Sequence, residues 1–185
     1  MKARIPIEVV VGALGGISCL VTITGLGLPV WALFIGWAWY FALGATPDAF
    51  KKIIPAVFPG TLLAGLCIWM MGALGGVVTG MPNMIICVAI TVFLLMCCLR
   101  IPVCSASLPA FNAYSSVFAL YAIGSFPDLP CGPIISCMLW AVIGNLLGPV
   151  FGWLSIVLQF PKKITEGEAG ESLEEKTQSN SDDEA

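Results

Sequence analysis

The chain alternates between long apolar stretches and short breaks that contain glycine, proline or charged residues. A bilayer core about 30 Å thick takes roughly 20 helical residues, so each stretch approaches the length of one span. The stretches exceed ten residues and lack the alternation of a membrane barrel, which favours helices over strands. The pattern predicts an all-α, polytopic transmembrane bundle of six spans, at about 5–25, 29–46, 53–77, 84–99, 108–124 and 131–160.

Composition agrees with a surface that faces lipid. Of the 185 residues, 10% are charged and 58% are hydrophobic, whereas about a quarter of the residues in a typical soluble domain are charged. We therefore expect membrane lipid to surround residues 1–160, which form the predicted six-span domain.

The basic residues predict the orientation of the spans, because cytoplasmic loops are enriched in lysine and arginine. With six spans, the loops near 25–29, 79–83 and 125–130 contain no basic residue. A count of five or seven spans would divide the basic residues between both faces. Six spans place them all on one face and predict that both ends are cytoplasmic: Lys2, Arg4, Lys51, Lys52, Arg100, Lys162 and Lys163.

Residues 161–185 are predicted to form an acidic, disordered cytoplasmic tail. Eight of the eleven acidic residues lie in the last twenty positions, and almost nothing apolar accompanies them. Such a segment cannot bury enough apolar surface to offset its conformational entropy. The tail is either a dispensable solvated end or a docking segment for a soluble partner. The pI of about 4.8 describes this tail and not the fold, so it says nothing about nucleic acid. We expect no nucleic-acid partner.

Two halves of the chain resemble each other at an offset of 80 residues. The repeats run from about 5 to 77 and from about 84 to 160. Because each contains three spans, the second copy is inverted in the membrane, as in many transporters, whose solute path follows the repeat interface. The alternative is that duplication only builds a bundle. Six residues in or beside the second span are identical to the residues 80 positions later, in or beside the fifth span: Leu28, Pro29, Ala42, Gly44, Pro47 and Asp48.

Polar side chains within the spans are the candidates for a solute path, because an unsatisfied polar group in hydrocarbon is costly. In the fifth span, Asn112, Ser115 and Ser116 have the i, i+3, i+4 spacing of one helix face. Asn145 is the only strongly polar side chain of the last span. Such uncharged groups suit a small neutral or weakly polar solute. The alternative is that they only form hydrogen bonds between helices.

Two further residues are candidates for the path. Trp37 lies too deep in the second span for an interfacial belt, so it either lines a constriction or packs. Glu8 is the only acidic residue inside a span. It is either a proton or cation site or a side chain that reaches the membrane interface.

Glycines predict close helix packing, because small residues at i and i+4 let another backbone approach. The pentapeptide at residues 12–16 recurs letter for letter at 72–76, and glycine repeats every fourth position in the last span. The contacts lie either within the chain or at a homo-oligomer interface. The predicted packing residues are Gly12, Gly16, Gly72, Gly76, Gly144, Gly148 and Gly152.

Catalytic motifs are absent from the sequence. The chain has no histidine, and its eight cysteines lack metal-ligand spacing. The nucleophile elbow, the phosphate-binding loop and the zinc protease motif are also missing. We expect neither an enzyme nor a bound metal or cofactor.

The glycine pair at Gly15 and Gly16, the aromatic run from Leu26 to Ala42, and the cluster Ser107, Pro109 and Phe111 carry a resemblance. Together with the glycine-rich last span, they resemble the YcdZ-like family of bacterial inner-membrane proteins, a domain of unknown function, over about residues 10–160. The resemblance implies a multi-pass protein of the bacterial inner membrane with no characterised activity. It supplies no substrate and no catalytic residue.

The leading hypothesis from the sequence is a homo-oligomeric small-solute permease or channel with a path between the two inverted repeats. Without an ATP-binding motif it runs on a gradient or passively. The alternative is a membrane scaffold that transports nothing and recruits a soluble partner through the acidic tail.

Overall fold

A computed structural model describes residues 3–20, 28–124, 126–159 and 161–162. Apart from one pair of two-residue strands, the described chain is helical, which confirms the all-α prediction. Among the described residues, one of six helices overlaps each predicted apolar stretch. The helices are α1 Ile7–Ser18, α2 Val30–Ala42, α3 Asp48–Leu74, α4 Met81–Cys98, α5 Ser107–Ile123 and α6 Pro133–Val157. The predicted tail from residue 163 onward lies outside the described residues.

The start of α3 differs from the prediction, which placed a break over residues 47–52. The helix begins at Asp48 and includes Lys51 and Lys52. Pro47 stands at the N-cap, and an acidic residue in the first turn is favoured by the positive end of the helix dipole. The Lys51 ammonium also lies 2.7 Å from the Asp48 carboxylate, one turn away. These charges therefore lie in the first turn of the helix and do not interrupt it.

Three helices are long and apolar enough to cross a membrane: α3, α4 and α6. At 1.5 Å per residue, the 27 residues of α3 extend about 40 Å. The 17 residues of α5 extend about 26 Å. By contrast, α1 and α2 are shorter apolar helices of 12 and 13 residues.

The largest helix contacts are those of α2 with α6 and of α3 with α5. Both pairs run parallel. Gly144 of α6 faces Ala32 of α2, and Gly152 of α6 faces Tyr40 of α2. Residue numbers therefore increase in the same direction along both helices. Likewise Gly60 of α3 faces Ala110 of α5. The helix α4 packs on α3, whereas α1 makes fewer contacts, mainly with α6.

The described ends of the chain meet at one end of the bundle. The strand β1 (Ala3–Arg4) pairs antiparallel with β2 (Pro161–Lys162), so the start of α1 lies beside the end of α6. A 3-10 turn, Pro102–Cys104, follows α4. Its Cys104 thiol lies 3.6 Å from the carbonyl oxygen of Pro55 in the first turns of α3. The α4–α5 connection therefore lies at the end of the bundle where α3 begins.

The outer surface of the bundle is apolar. On α4, Ile85, Ile90 and Phe93 are each more than 40% exposed. Large apolar side chains are likewise exposed on each of the other helices. Water does not favour so extensive an apolar surface, whereas hydrocarbon chains do. The described helices are therefore those of a membrane protein.

Candidate functional site

A buried pair of polar side chains lies at the middle of the bundle. The Ser116 hydroxyl donates a hydrogen bond to the Asn145 side-chain oxygen over 3.2 Å. Both residues are at least 99% buried. Asn145 is the central residue of α6, and Ser116 is one residue past the centre of α5. The pair therefore lies where a polar group in a membrane is most costly.

Glycine lets α2 approach this pair. Gly36 is the central residue of α2, and a Cβ atom there would overlap the carbonyl oxygen of Asn145. On the opposite side of the interface, a Cβ atom at Gly148 would overlap the backbone of Leu33 and Trp37. The two helices therefore touch through their backbones, which holds Asn145 between α2 and α5.

Four buried polar atoms have no hydrogen-bond partner among the described residues: Asn145 Nδ2, Thr61 Oγ1, Trp37 Nε1 and Trp39 Nε1. Thr61 is the central residue of α3. Leaving such a group unpaired costs about 1–3 kcal/mol, so each calls for an explanation such as a water molecule or a ligand. Central residues of α3 and α6 thus both carry spare hydrogen-bonding capacity.

The two unpaired tryptophans lie on different faces of α2. Trp37 packs with Phe34 and Phe151, at ring distances of 6.0 and 5.6 Å, and belongs to a cluster that includes α1. Trp39 instead packs with Val57 and Ala113 in the region where α2, α3, α5 and α6 meet. Trp37 was predicted as a candidate for the solute path because it lies deep in the second span. Trp39 was not, although it lies two residues away in the same aromatic run.

The structure divides the predicted stripe of the fifth span. Ser116 is buried, Asn112 is half-buried, and Ser115 is exposed. Adjacent residues of a helix are rotated by about 100°, so Ser115 and Ser116 point in different directions. Ser115 lies on an open groove of about 230 Å³ between α4 and α5, beside Tyr114 and Phe118. The structure therefore brings Ser116, but not Ser115, together with Asn145.

The remaining acidic candidate lies away from the interior. Glu8 is exposed in the first turn of α1. A carboxylate there is favoured by the helix dipole. Its position matches the alternative in which the side chain reaches the membrane interface.

Polar side chains of α4, which the sequence reasoning missed, form a second buried set. The Asn83 amide donates to the carbonyl oxygen of Met71 over 2.8 Å. The Thr91 hydroxyl lies 2.8 Å from both the Cys87 carbonyl oxygen and the Tyr114 hydroxyl. Asn83, Cys87 and Thr91 are spaced i, i+4, i+8 in an otherwise apolar helix, a signal that the sequence does contain. This set joins α4 to α3 and α5.

The predicted packing glycines fall into two groups. Gly144, Gly148 and Gly152 lie against α2. A Cβ atom at the other four would meet no described atom within 4 Å, and these positions are exposed: Gly12, Gly16, Gly72 and Gly76.

An apolar groove of about 440 Å³ lies between α3 and the start of α6. Leu66, Trp69 and Ile135 are among the residues that line it. None of the four unpaired polar atoms belongs to a residue on this groove, so it is separate from the polar interior.

The chain matches a known protein family over nearly all of its helical region. Residues 8–159 match a family described as Protein of unknown function (DUF1097). The chain belongs to this family. The match confirms that the chain is a member of an uncharacterised family, while the YcdZ-like name stays a prediction. No curated protein and no solved structure matches the chain.

The polar interior of this DUF1097 chain offers hydrogen bonds without charge. Ser116 and Asn145 are paired, yet the Asn145 amide nitrogen still has two N–H groups to donate. Every buried polar residue among those described is a serine, threonine or asparagine. The arrangement can form hydrogen bonds with a small polar molecule.

Proposed function

We propose that the chain is a small-solute permease or channel of the bacterial inner membrane, and that it is not an enzyme. The observation that carries the proposal is the set of buried polar groups at the centres of α3, α5 and α6, with atoms that lack partners. A purely structural bundle gains little from unpaired polar atoms at that depth. A solute path requires such groups, because a polar solute must exchange its hydration for hydrogen bonds with the protein.

The helix contacts support two inverted repeats, α1–α3 and α4–α6. Under the 80-residue offset, α2 corresponds to α5 and α6 corresponds to α3. The contact of α2 with α6 then corresponds to that of α5 with α3, and these are the two largest. Their interface brings α2, α3, α5 and α6 together around the Ser116–Asn145 pair, which is where a path between repeats would run.

The ends of the helices support six spans with both termini in the cytoplasm. The pairing of β1 with β2 requires an even number of crossings between them. Lys51, Lys52 and Arg100 lie at the end of the bundle where α3 begins, near the end of α6. These three basic residues thus lie on one face, as expected of a cytoplasmic face.

The proposed solute is small and neutral or weakly polar. None of the buried residues described is charged. A bare ion would lose its hydration without gaining an opposite charge, which is expensive. An uncharged solute requires only the hydrogen bonds that these groups provide.

The test is solute flux into liposomes that contain the purified full chain. Wild-type protein should pass at least one small neutral solute faster than empty liposomes do. The double variant Ser116→Ala, Asn145→Leu should reduce this flux at least tenfold, because it removes both polar groups. Ser155→Ala is the matched control: Ser155 is buried in α6 but bonds to its own helix, at the Phe151 carbonyl oxygen. A folded wild-type protein that passes no solute would contradict the proposal.

The acidic tail favours a second candidate, a scaffold that recruits a soluble partner. Eight acidic residues lie in the last twenty positions, beyond the part of the chain that matches the family. Truncation after Lys163 separates the candidates. A permease should keep its flux without the tail, whereas a scaffold should lose its partner and show no flux with or without the tail.

A further inference from the structure

The hydrogen-bonding groups left over in the interior are mostly donors. The Asn145 side-chain oxygen is already engaged by the Ser116 hydroxyl. What remains on Asn145 is its amide nitrogen, which only donates. The indole nitrogen of Trp39 also only donates, and it is unpaired as well.

These two donors belong to the same region of the bundle. Trp39 belongs to the same hydrophobic cluster as Ala113, one turn before Ser116 on α5, and Leu146, the residue after Asn145 on α6, packs against that cluster. Both side chains are at least 99% buried. Trp37 also has an unpaired indole nitrogen, but it packs with Val10 and Leu14 of α1. Its donor therefore lies on the other face of α2.

We propose that the interior selects a neutral solute that presents a strong hydrogen-bond acceptor, such as a carbonyl oxygen, to Asn145 Nδ2 and Trp39 Nε1. This inference rests on the proposed function and names its solute class. A carbonyl oxygen has two lone pairs and accepts from two N–H groups at once. A solute without such an acceptor leaves both buried donors unpaired, and a site of this kind rejects it strongly.

Urea and thiourea are suitable probes. Both are neutral and planar with two amino groups, and they differ in that the sulfur of thiourea accepts hydrogen bonds far more weakly than oxygen does. The ratio of their fluxes therefore reports the use of the acceptor, with size and donors held nearly constant. The fluxes are measured by light scattering after rapid mixing, on liposomes that contain the full chain, with empty liposomes subtracted.

We expect wild-type protein to pass urea faster than thiourea. Trp39→Phe removes one N–H group and keeps an aromatic ring, so the urea-to-thiourea ratio should fall about tenfold, the equivalent of one hydrogen bond of about 1.4 kcal/mol. Asn145→Leu keeps a similar side-chain volume and removes the donor, and the ratio should fall again. Trp69→Phe is the matched control, because Trp69 lines the separate apolar groove, and it should leave the ratio unchanged.

The outcomes separate this inference from the proposed function. A ratio that does not change in Trp39→Phe and Asn145→Leu overturns the inference and leaves the permease standing. Passage of glycerol with no preference for urea over thiourea does the same. If the wild-type protein passes none of the three solutes, this inference fails, and the broader screen for small neutral solutes then decides the proposed function.

Discussion

Two interfaces of the bundle are held together by different means. Where α2 meets α6, Gly36 and Gly148 let the backbones touch. Where α4 meets α3 and α5, side-chain hydrogen bonds from Asn83 and Thr91 join the helices. The first interface depends on the small size of its residues, and the second depends on the polarity of its side chains. Ser116 and Asn145 lie beside the first interface. They are joined by a side-chain hydrogen bond, however, like the helices at the second interface.

The largest effect is expected from a small increase in size at the α2–α6 interface. In Gly148→Ala, the new methyl group would overlap backbone atoms of Leu33 and Trp37, which cannot move aside as a side chain does. We expect a loss of about 3 kcal/mol in the free energy of unfolding. Reversible unfolding in mixed detergent micelles measures it.

Gly72→Ala is the control for that variant. Position 72 is open in the structure, and alanine favours a helix over glycine. Equal stability of Gly148→Ala and Gly72→Ala would show that α2 and α6 are not in backbone contact.

A smaller loss is expected from a change of polarity at α4. Asn83→Leu keeps a side chain of similar volume but removes the hydrogen bond to the Met71 carbonyl oxygen. Because that oxygen loses its side-chain donor, we expect a loss of about 2 kcal/mol. The neighbouring change Met84→Leu, at an exposed position, should have little effect in the same unfolding measurement. A greater loss in Met84→Leu would reverse our assignment of the buried face of α4.

Tyr114→Phe tests the other contact of α4 more gently. The variant removes the hydroxyl that bonds to Thr91, but the Thr91 hydroxyl keeps its bond to the Cys87 carbonyl oxygen. No donor is left unpaired and Thr91 keeps a hydrogen bond, so we expect a loss of about 1 kcal/mol. Tyr121→Phe is a matched change at a residue that is 41% exposed, and its stability should equal that of the wild type.

The smallest effect is expected outside both interfaces. Lys51→Ala breaks the ion pair with Asp48, whose side chains are 81% and 74% exposed. Exposed ion pairs contribute little, because water screens them. Unfolding should be unchanged at any salt concentration. A marked loss at low salt alone would mean that α3 depends on this pair for its first turn.

The positions of the six helices follow from the sequence, because an apolar stretch of sufficient length has few other structures available to it. The start of α3 does not follow so simply. Lysines look like a break in a hydropathy pattern, yet Asp48 in the first turn favours a helix start that lies before the apolar stretch. Apolar length therefore locates a helix in this chain, while capping chemistry sets where it begins.

The inward faces of the helices are harder to predict. In water, the apolar face of a helix points inward. In a membrane the outer face is apolar as well, so periodicity does not distinguish Ser115 from Ser116, or Trp37 from Trp39. Ser116 was predicted as part of a stripe with Asn112 and Ser115, and Asn145 was predicted by itself as a polar residue of the last span. Their pairing depends on the close approach of α2, α5 and α6, which no local pattern contains.

The adjacent strands β1 and β2 have a consequence for the order of the chain. Since Ala3 lies opposite Lys162, a short linker could join the two ends, and new termini could be opened at Gly80, between α3 and α4. The resulting circular permutant would begin with α4 and finish with α3. If the two halves are equivalent building blocks, their order of synthesis should not matter to the finished bundle.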